Sequence, residues 1–440
     1  MATRNHHNDA LRNDTRSVTS ARLPEPVVVI SVLFAIVGVA AAEWKLTAVC
    51  ALILIIVGFA RAWAKVSLAG VVLQRTVVEP RLFVGDTTQV RLVLENRKSL
   101  PLPWITVDFR LPDGLLVSSG ADFGNERSRY DYAQSFYETF SLAPRERVHA
   151  ERPLVAMRRG CFRLGAASLE SGDLFGFYSS RASSGTHAQE IVVFPAPRDL
   201  PGFQLPARTP EGVAAGHARL HEDVSRPAGS RPYQSGDLIN RIDWKSTAKR
   251  QTPMVRIFDP SDACQVMLVL DARTTDDAWR YKVELLEVAV AAAASVAVHT
   301  VERGYQVGMV TNGAPPTVGA PLLMPAAGTH QLESIMHVLA RVQPNQSAHM
   351  VQVFDRDVSP RLLGREALAV TVVYVAAHMD ADRWTWLQRS NAAGAQVLLV
   401  YVGEQTLSEF GEKSFQILDY REEFAAAGRV EEPSARVMYA

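Results

Sequence analysis

Two apolar runs near the amino terminus, Pro26 to Ala42 and Leu46 to Ala60, are separated only by Glu43-Trp44-Lys45. Uncharged runs set back to back restrict the fold severely, because each is close to the lower limit of about 17 residues for crossing hydrocarbon. Trp44 and Trp63 stand where interfacial aromatics extend such spans, so the pattern predicts a transmembrane helical hairpin over residues 24–64. A cleaved leader would account for one run and not the second. Residues 1–23 are polar, with Arg4, Arg12, Arg16 and Arg22, and predict a disordered cytoplasmic tail. Those arginines precede the first span, Arg61, Lys65 and Arg75 follow the second, and the connection holds one Lys against one Glu. The positive-inside rule then puts both ends in the cytoplasm, as in a multi-pass protein of the cell inner membrane.

Composition removes several functions from consideration. Lysines and arginines equal aspartates and glutamates at 46 each, which leaves no electrostatic footprint for nucleic acid. Cys50, Cys161 and Cys264 are scattered and lack metal-ligand spacing, so neither a disulfide framework nor a zinc site is indicated. Unpaired thiols also suit a reducing compartment.

From residue 66 to 199 the pattern changes to short alternating runs. Thr88–Leu94, Trp104–Arg110, Phe136–Leu142, Arg152–Met157, Leu164–Ser171 and Ile191–Phe194 read as strands, bounded by Gly, Pro and Asn. Many short strands with turn punctuation predict an immunoglobulin-like β-sandwich. Ala121 to Tyr132 reads as a long loop. Phe162, Phe175, Phe177 and Tyr178 read as core or interface fillers around the turn points Gly160, Gly165, Gly172 and Gly176.

Residues 200–260 form a linker and a dense polar stretch. Leu200 to Gly229 is rich in Pro, Gly, Ala and Arg and reads as mobile. The stretch that follows holds Arg231, Tyr233, Gly236, Asp237, Arg241, Asp243, Trp244 and Lys245. Gly236-Asp237 reads as a turn, and Leu238 to Arg250 as a short helix with Asp237 as its N-cap. A segment so rich in charge builds no core of its own, which suits a polar clamp between domains with arginine forks on carbonyls and carboxylates. A ligand or substrate site is the alternative.

The order Arg231-x-Tyr233-x-x-Gly236-Asp237, then Arg241-Ile-Asp243-Trp244-Lys245, then a strand, resembles the signature of the bacterial family catalogued as domain of unknown function 58. Arg158-Arg-Gly-Cys-Phe-Arg-Leu-Gly165 and Leu169 to Tyr178 (LESGDLFGFY) resemble the segment just upstream in that family. The resemblance implies an architecture more than a reaction. Through its relatives it also implies partners, namely an AAA+ ATPase of the MoxR type and transglutaminase-like membrane proteins, in protein maturation or envelope stress.

Residues 261–440 alternate between strand and helix. Cys264–Leu270, Tyr305–Thr311, Val370–Ala376 and Gln396–Val402 read as buried strands. Asp277–Glu302, His330–Val342 and Asp380–Ala392 read as amphipathic helices, so a doubly wound parallel sheet follows, with ligands expected at its strand carboxyl ends. Strand, Asp271, long helix and Arg303-Gly-Tyr-x-Val-Gly308 strand, with Gly328-Thr329 before the next helix, resemble a von Willebrand factor A-like domain. The metal-dependent adhesion site of that family uses Asp-x-Ser-x-Ser, a Thr and a later Asp. Asp271 and Thr329 match, whereas Arg273 and Thr275 stand at the serine positions and Ala377-His378 follows the later strand. A hard cation needs several oxygens, so the site is degenerate, and Arg273 is expected to replace the ion by pairing with Asp271, or with Asp276 and Asp277.

No GxxxxGK phosphate loop and no GxSxG elbow occurs. Cys161 lacks an identifiable histidine partner, and Asp237 and Asp243 have arginine neighbours that keep them ionised. The whole is a multidomain α+β chain with no expected cofactor, read first as a membrane-anchored interaction scaffold. The alternatives are a hydrolase or transferase using Asp237, Asp243 and Lys245, and a metal-dependent adhesion domain.

Overall fold

The computed structural model describes residues 18–21, 25–118, 132–184, 189–205, 222–234, 242–260, 265–277, 280–313, 322–344, 349–359, 370–410 and 414–421. The chain forms two compact units, residues 1–196 and 197–440. The predicted loop at Ala121 to Tyr132 lies almost wholly outside the described residues; only Tyr132 falls within them.

The first unit begins with β1 (Val18–Ala21), α1 (Glu25–Ala40) and α2 (Trp44–Ser67). Both helices carry apolar side chains outward: Leu33, Ile36 and Val39 on α1 and Leu52, Ile55 and Phe59 on α2 are all more than half exposed. Length separates the two. Sixteen residues of α1 reach only about 24 Å, short of a hydrocarbon core of about 30 Å, whereas the 24 of α2 reach about 36 Å. Of the apolar window of α2 17% is buried, against 61% for the similarly long apolar helix Val283–Glu302, which is therefore a core helix of the second unit.

β2 (Val71–Val77), β3 (Arg81–Phe83), β4 (Thr87–Asn96), β5 (Leu102–Arg110), β6 (Leu115–Ser118), β7 (Tyr132–Ala133), β8 (Ser135–Leu142), β9 (Arg147–Ala156), β10 (Gly160–Leu164), β11 (Ala167–Gly172), β12 (Tyr178–Ser184) and β13 (Gln189–Phe194) follow. They build a β-sandwich. One sheet runs β1-β12-β11-β5-β8 and the other β2-β4-β9-β6-β7, with β10-β13-β3 as a small third sheet. Alternation makes the core: β4 is buried at every second position, and Val90, Leu92 and Leu94 meet Ile105, Val107 and Phe109 between the sheets.

Three expectations are corrected in this unit. Val18–Ala21, within the predicted disordered tail, pairs antiparallel with β12, because an open sheet edge accepts a strand through backbone groups whatever its side chains. The run Leu164–Ser171 is split between β10 and β11, which belong to different sheets. Arg75, counted among the charges flanking the membrane, is buried in the sandwich with its guanidinium 4.7 Å from the Phe109 ring centre. Its alkyl stem and planar head pack as an apolar side chain would.

The second unit contains β14 (Glu222–Pro232), α3 (Trp244–Arg250), β15 (Met254–Pro260), β16 (Gln265–Asp271), α4 (Val283–Glu302), β17 (Gln306–Thr311), β18 (Leu322–Ala326), α5 (Thr329–Arg341), β19 (Val370–Ala376), α6 (Ala381–Ala392), β20 (Gln396–Tyr401) and β21 (Gln416–Asp419), with a short helical segment at Met350–Val358 between α5 and β19. Its six-stranded sheet runs β18-β17-β16-β19-β20-β21 and is parallel except at β18. Alanine-rich α4 lies on β16, β17 and β19 and against α5. The opposite face packs Met267, Val269 and Val372 with Phe354, Trp384 and Leu387. The sheet is thus covered on both sides, which accounts for the continuous apolar runs of β16 and β19.

Part of the predicted mobile linker is a strand. β14 pairs with β15, and its register shifts at Pro227 and Gly229. Proline has no amide to donate and glycine bends freely, so a bulged strand carries the composition of a loop. The long helix starts at Val283 and not at Asp277, because Thr274 and Thr275 hold the preceding loop: the Thr275 hydroxyl donates to the Arg280 carbonyl at 2.6 Å, and the Lys282 amide to the Thr274 hydroxyl at 2.9 Å.

Candidate functional site

Around the signature stretch the backbone closes first. The Tyr233 amide donates to the Pro253 carbonyl and the Asp243 amide to the Met254 carbonyl, both at 2.8 Å. Gly236, Asp237 and Arg241 lie outside the described residues.

Asp243, not Asp237, caps the helix. Its Oδ1 accepts from the Lys245 and Ser246 amides at 3.2 and 3.3 Å, and its Oδ2 from the Ser246 hydroxyl at 2.7 Å. The Ser246 hydroxyl and amide hold its carboxyl below the usual aspartate value, and the Arg256 charge adds to this. A carboxylate so engaged serves as the acceptor that caps α3. Asp243→Ala is expected to speed amide exchange at Lys245 and Ser246, while Asp243→Asn, which keeps an acceptor, retains most of the protection; equal exchange in the two variants would refute the cap.

Arg231 donates to the adjacent Pro232 carbonyl at 3.2 Å, Trp244 is 69% and Tyr233 38% exposed, and Lys245 is exposed. The seven residues of α3, Trp244 and Lys245 among them, include no buried one.

A second cluster lies where the sheet order reverses. β16 is followed by β17 on one side and, later in the chain, flanked by β19 on the other, so the crevice at their carboxyl ends is the expected ligand position of such a sheet. Asp271 ends β16 there and is fully buried. Its Oδ1 accepts from the Arg273 amide at 3.0 Å and the Asn312 side-chain amide at 2.9 Å. Its Oδ2 accepts from the Tyr374 hydroxyl at 2.8 Å and faces Arg383 Nε at 2.6 Å. Arg383 is 2% exposed and bonds Asp380 at 2.6 Å through Nη1, and Asp380 also caps α6 by accepting from the Arg383 amide. Burial lowers the Arg383 pKa, but the electrostatic pull of Asp271, Tyr374 and Asp380 together with the Asp271 hydrogen bond outweighs it, so the net displacement is upward. Burial and the same carboxylate push the Tyr374 phenol well up, keeping it a neutral donor.

Arg383 therefore supplies the positive charge that Arg273 was expected to supply. Arg273 instead folds onto its own loop, donating to the Thr275 carbonyl at 3.1 Å and the Asp276 carbonyl at 2.7 Å, with His349 Nδ1 at 3.5 Å. Thr329 is exposed at the start of α5. Two residues on, Gln331 holds the Val307 carbonyl at the amino end of β17, the opposite end of the sheet from Asp271. Asp271 and Thr329 do not converge, and among the described residues no group of three or more His, Cys, Asp or Glu side chains could hold a metal ion. With four protein donors on Asp271, the residues present do not fit a hard cation. At the rim His378, 5% exposed, has Nε2 2.6 Å from Oδ1 of Asp276, which is 73% exposed.

Sequence reasoning passed over Arg383, Tyr374 and Asn312. A weak signal existed: Tyr374 interrupts an apolar run near its carboxyl end, and Asn312 directly follows the strand β17. Nothing in the sequence marks Arg383, whose partner lies 112 positions away by numbering.

Solved structures align with 28% of the chain. They include native alpha-2-macroglobulin from Escherichia coli (TM-score 0.21, 16% identity, 23% of that chain) and a cohesin module of a Clostridium perfringens family 33 glycoside hydrolase (TM-score 0.20, 12% identity, 97% of that chain). Among curated proteins, the uncharacterized protein YeaD of Bacillus subtilis is 24% identical over 240 residues, covering 54% of this chain and 55% of YeaD. The uncharacterized protein Mb1516 of Mycobacterium bovis is 35% identical over 91 residues, covering 20% of this chain and 29% of that protein. The chain thus spans about half the length of the first relative and under a third of the second. Residues 229–428, which hold both the signature stretch and the Asp271 cluster, match the family described as protein of unknown function DUF58.

Proposed function

We propose that this chain is a membrane-anchored, non-catalytic interaction scaffold with both ends in the cytoplasm, held in the inner membrane by α1 and α2. Its partner on this reading is an AAA+ ATPase of the MoxR type. The first unit is then an immunoglobulin-like sandwich and the second a von Willebrand A-like domain that has exchanged its metal for an internal ion pair.

One observation carries the reading. Asp271, at the sheet end where a ligand would be expected, is committed to a buried pair with Arg383, whereas the signature stretch displays Trp244 and Tyr233, and α3 has no buried residue. Aromatics shown this way serve recognition better than chemistry, since Trp and Tyr dominate interface energetics.

The test is cross-linking and affinity purification of the full chain from intact membranes. A MoxR-type ATPase is expected to co-purify with the native chain and to fall about tenfold or more with Trp244→Ala, the effect of losing an interface anchor. Recovery unchanged by both Trp244→Ala and Tyr233→Ala would defeat the proposal.

A further inference from the structure

The LESGDLFGFY stretch contains a feature that packing does not account for. Between β11 and β12 the chain turns through Asp173-Leu174-Phe175-Gly176-Phe177, and Leu174 and Phe175 are 66% and 59% exposed. Of the two readings of Phe175, core filler or interface filler, its exposure excludes the core.

This turn is rigidly built. Asp173 is 2% exposed, and its Oδ1 accepts from the Phe175 amide at 2.6 Å and the Phe177 amide at 3.3 Å. Its Oδ2 accepts from the Tyr178 amide at 2.6 Å, and its carbonyl accepts from Trp104 Nε1 at 2.9 Å. Gly176 supplies the left-handed residue, with φ of 72°. The rings of Phe175 and Phe177 stack at 5.6 Å. A buried carboxylate is thus committed to holding two large apolar side chains outward, and rigid apolar display of this kind marks an interaction surface.

The neighbours of the turn say what covers it. Tyr178 packs with Val57, Ala60 and Ala64 of α2, and Phe177 and Val28 of α1 lie against that cluster. Farther along β12, the Ser180 hydroxyl donates to the Ala64 carbonyl at 2.6 Å. β12 therefore runs alongside the end of α2 and leaves the apolar hairpin as α2 does, so the tip, which precedes Tyr178, lies on the side of the apolar spans. Val57 is about 9 Å before the interfacial Trp63 along the helix. From Leu174 to Ser180 the sequence has no charged residue.

We propose that this hairpin tip is a third membrane contact, with Leu174 and Phe175 inserted into the interfacial layer of the lipid bilayer that α1 and α2 enter. The tip then fixes the sandwich against the lipid surface at a second point beside α2. The proposal rests on the membrane-hairpin reading above, and the following experiment separates the two.

The full chain, with Cys50→Ser, Cys161→Ser and Cys264→Ser, receives one cysteine at a time and an environment-sensitive fluorophore, and is reconstituted in phosphatidylcholine–phosphatidylglycerol vesicles. Phe175→Cys reports the tip, Leu174→Cys repeats the measurement if the first variant fails to fold, and Leu52→Cys reports the middle of α2. Nitroxide lipids labelled near the headgroup or deep in the acyl chain compete with aqueous iodide as quenchers. The tip is expected to be quenched by the shallow nitroxide and shielded from iodide, and Leu52→Cys by the deep one. A tip open to iodide, with Leu52→Cys still quenched by lipid, overturns the tip contact and leaves the anchor. A tip shielded from iodide yet silent to both nitroxides means a protein covers it, which also overturns the proposal. Absence of lipid quenching at both positions defeats the membrane-hairpin reading and this one together.

Discussion

Arg383→Met is expected to destabilise the second unit by about 3–5 kcal/mol, the cost of leaving a buried carboxylate without its counter-charge. Asp271 is fully buried, and its three remaining donors, Tyr374, Asn312 and the Arg273 amide, are neutral. Removing both charges, as in Asp271→Leu with Arg383→Met, is expected to recover much of the loss, because replacing a whole buried pair by apolar groups is often neutral. Denaturant titration of the four members of that double-mutant cycle checks it, and a coupling energy below about 0.5 kcal/mol would show that the pair does not act as one. The network also has a pH signature. The Tyr374 phenol is raised above its ordinary value of 10.0 in the folded state, so its contribution is complete below that value and is lost as pH rises through the folded-state pKa.

Phe136→Ala is the second large effect, expected at about 3–5 kcal/mol in the first unit. The ring is fully buried in β8 and stacks on Phe109 of β5 with centres 4.7 Å apart and planes 16° from parallel. Truncation removes the transfer free energy of the ring and leaves a cavity that a paired sheet cannot collapse to fill. Hydrogen exchange along β5 and β8 in the detergent-solubilised chain reads the loss. A cost below about 1 kcal/mol would mean that the sandwich repacks around the gap.

Legibility followed the range of the interactions. The run Val370–Ala376 has the bounds of β19, and Thr88–Leu94 falls within β4, because both patterns are set by which faces are buried. The Asp243 cap was hidden by a rival carboxylate, Asp237, six residues earlier, since either can begin a helix and only the turn onto β15 chooses. β14 was obscured by Pro and Gly, whose local meaning is a loop until a partner strand supplies the ladder.

Alone, the sequence determined the apolar helical hairpin, the alternating strands of the sandwich and the buried strands of the α/β sheet, since hydrophobic periodicity is a local property. Tertiary structure alone decided that Arg383 and not Arg273 neutralises Asp271, that Thr329 lies at the far end of the sheet, and that Phe175 faces outward while Arg75 faces inward. Each of those outcomes depends on which residues distant in the chain share a buried space, and burial sets the free energy of a charge or a ring far more than its neighbours in sequence do.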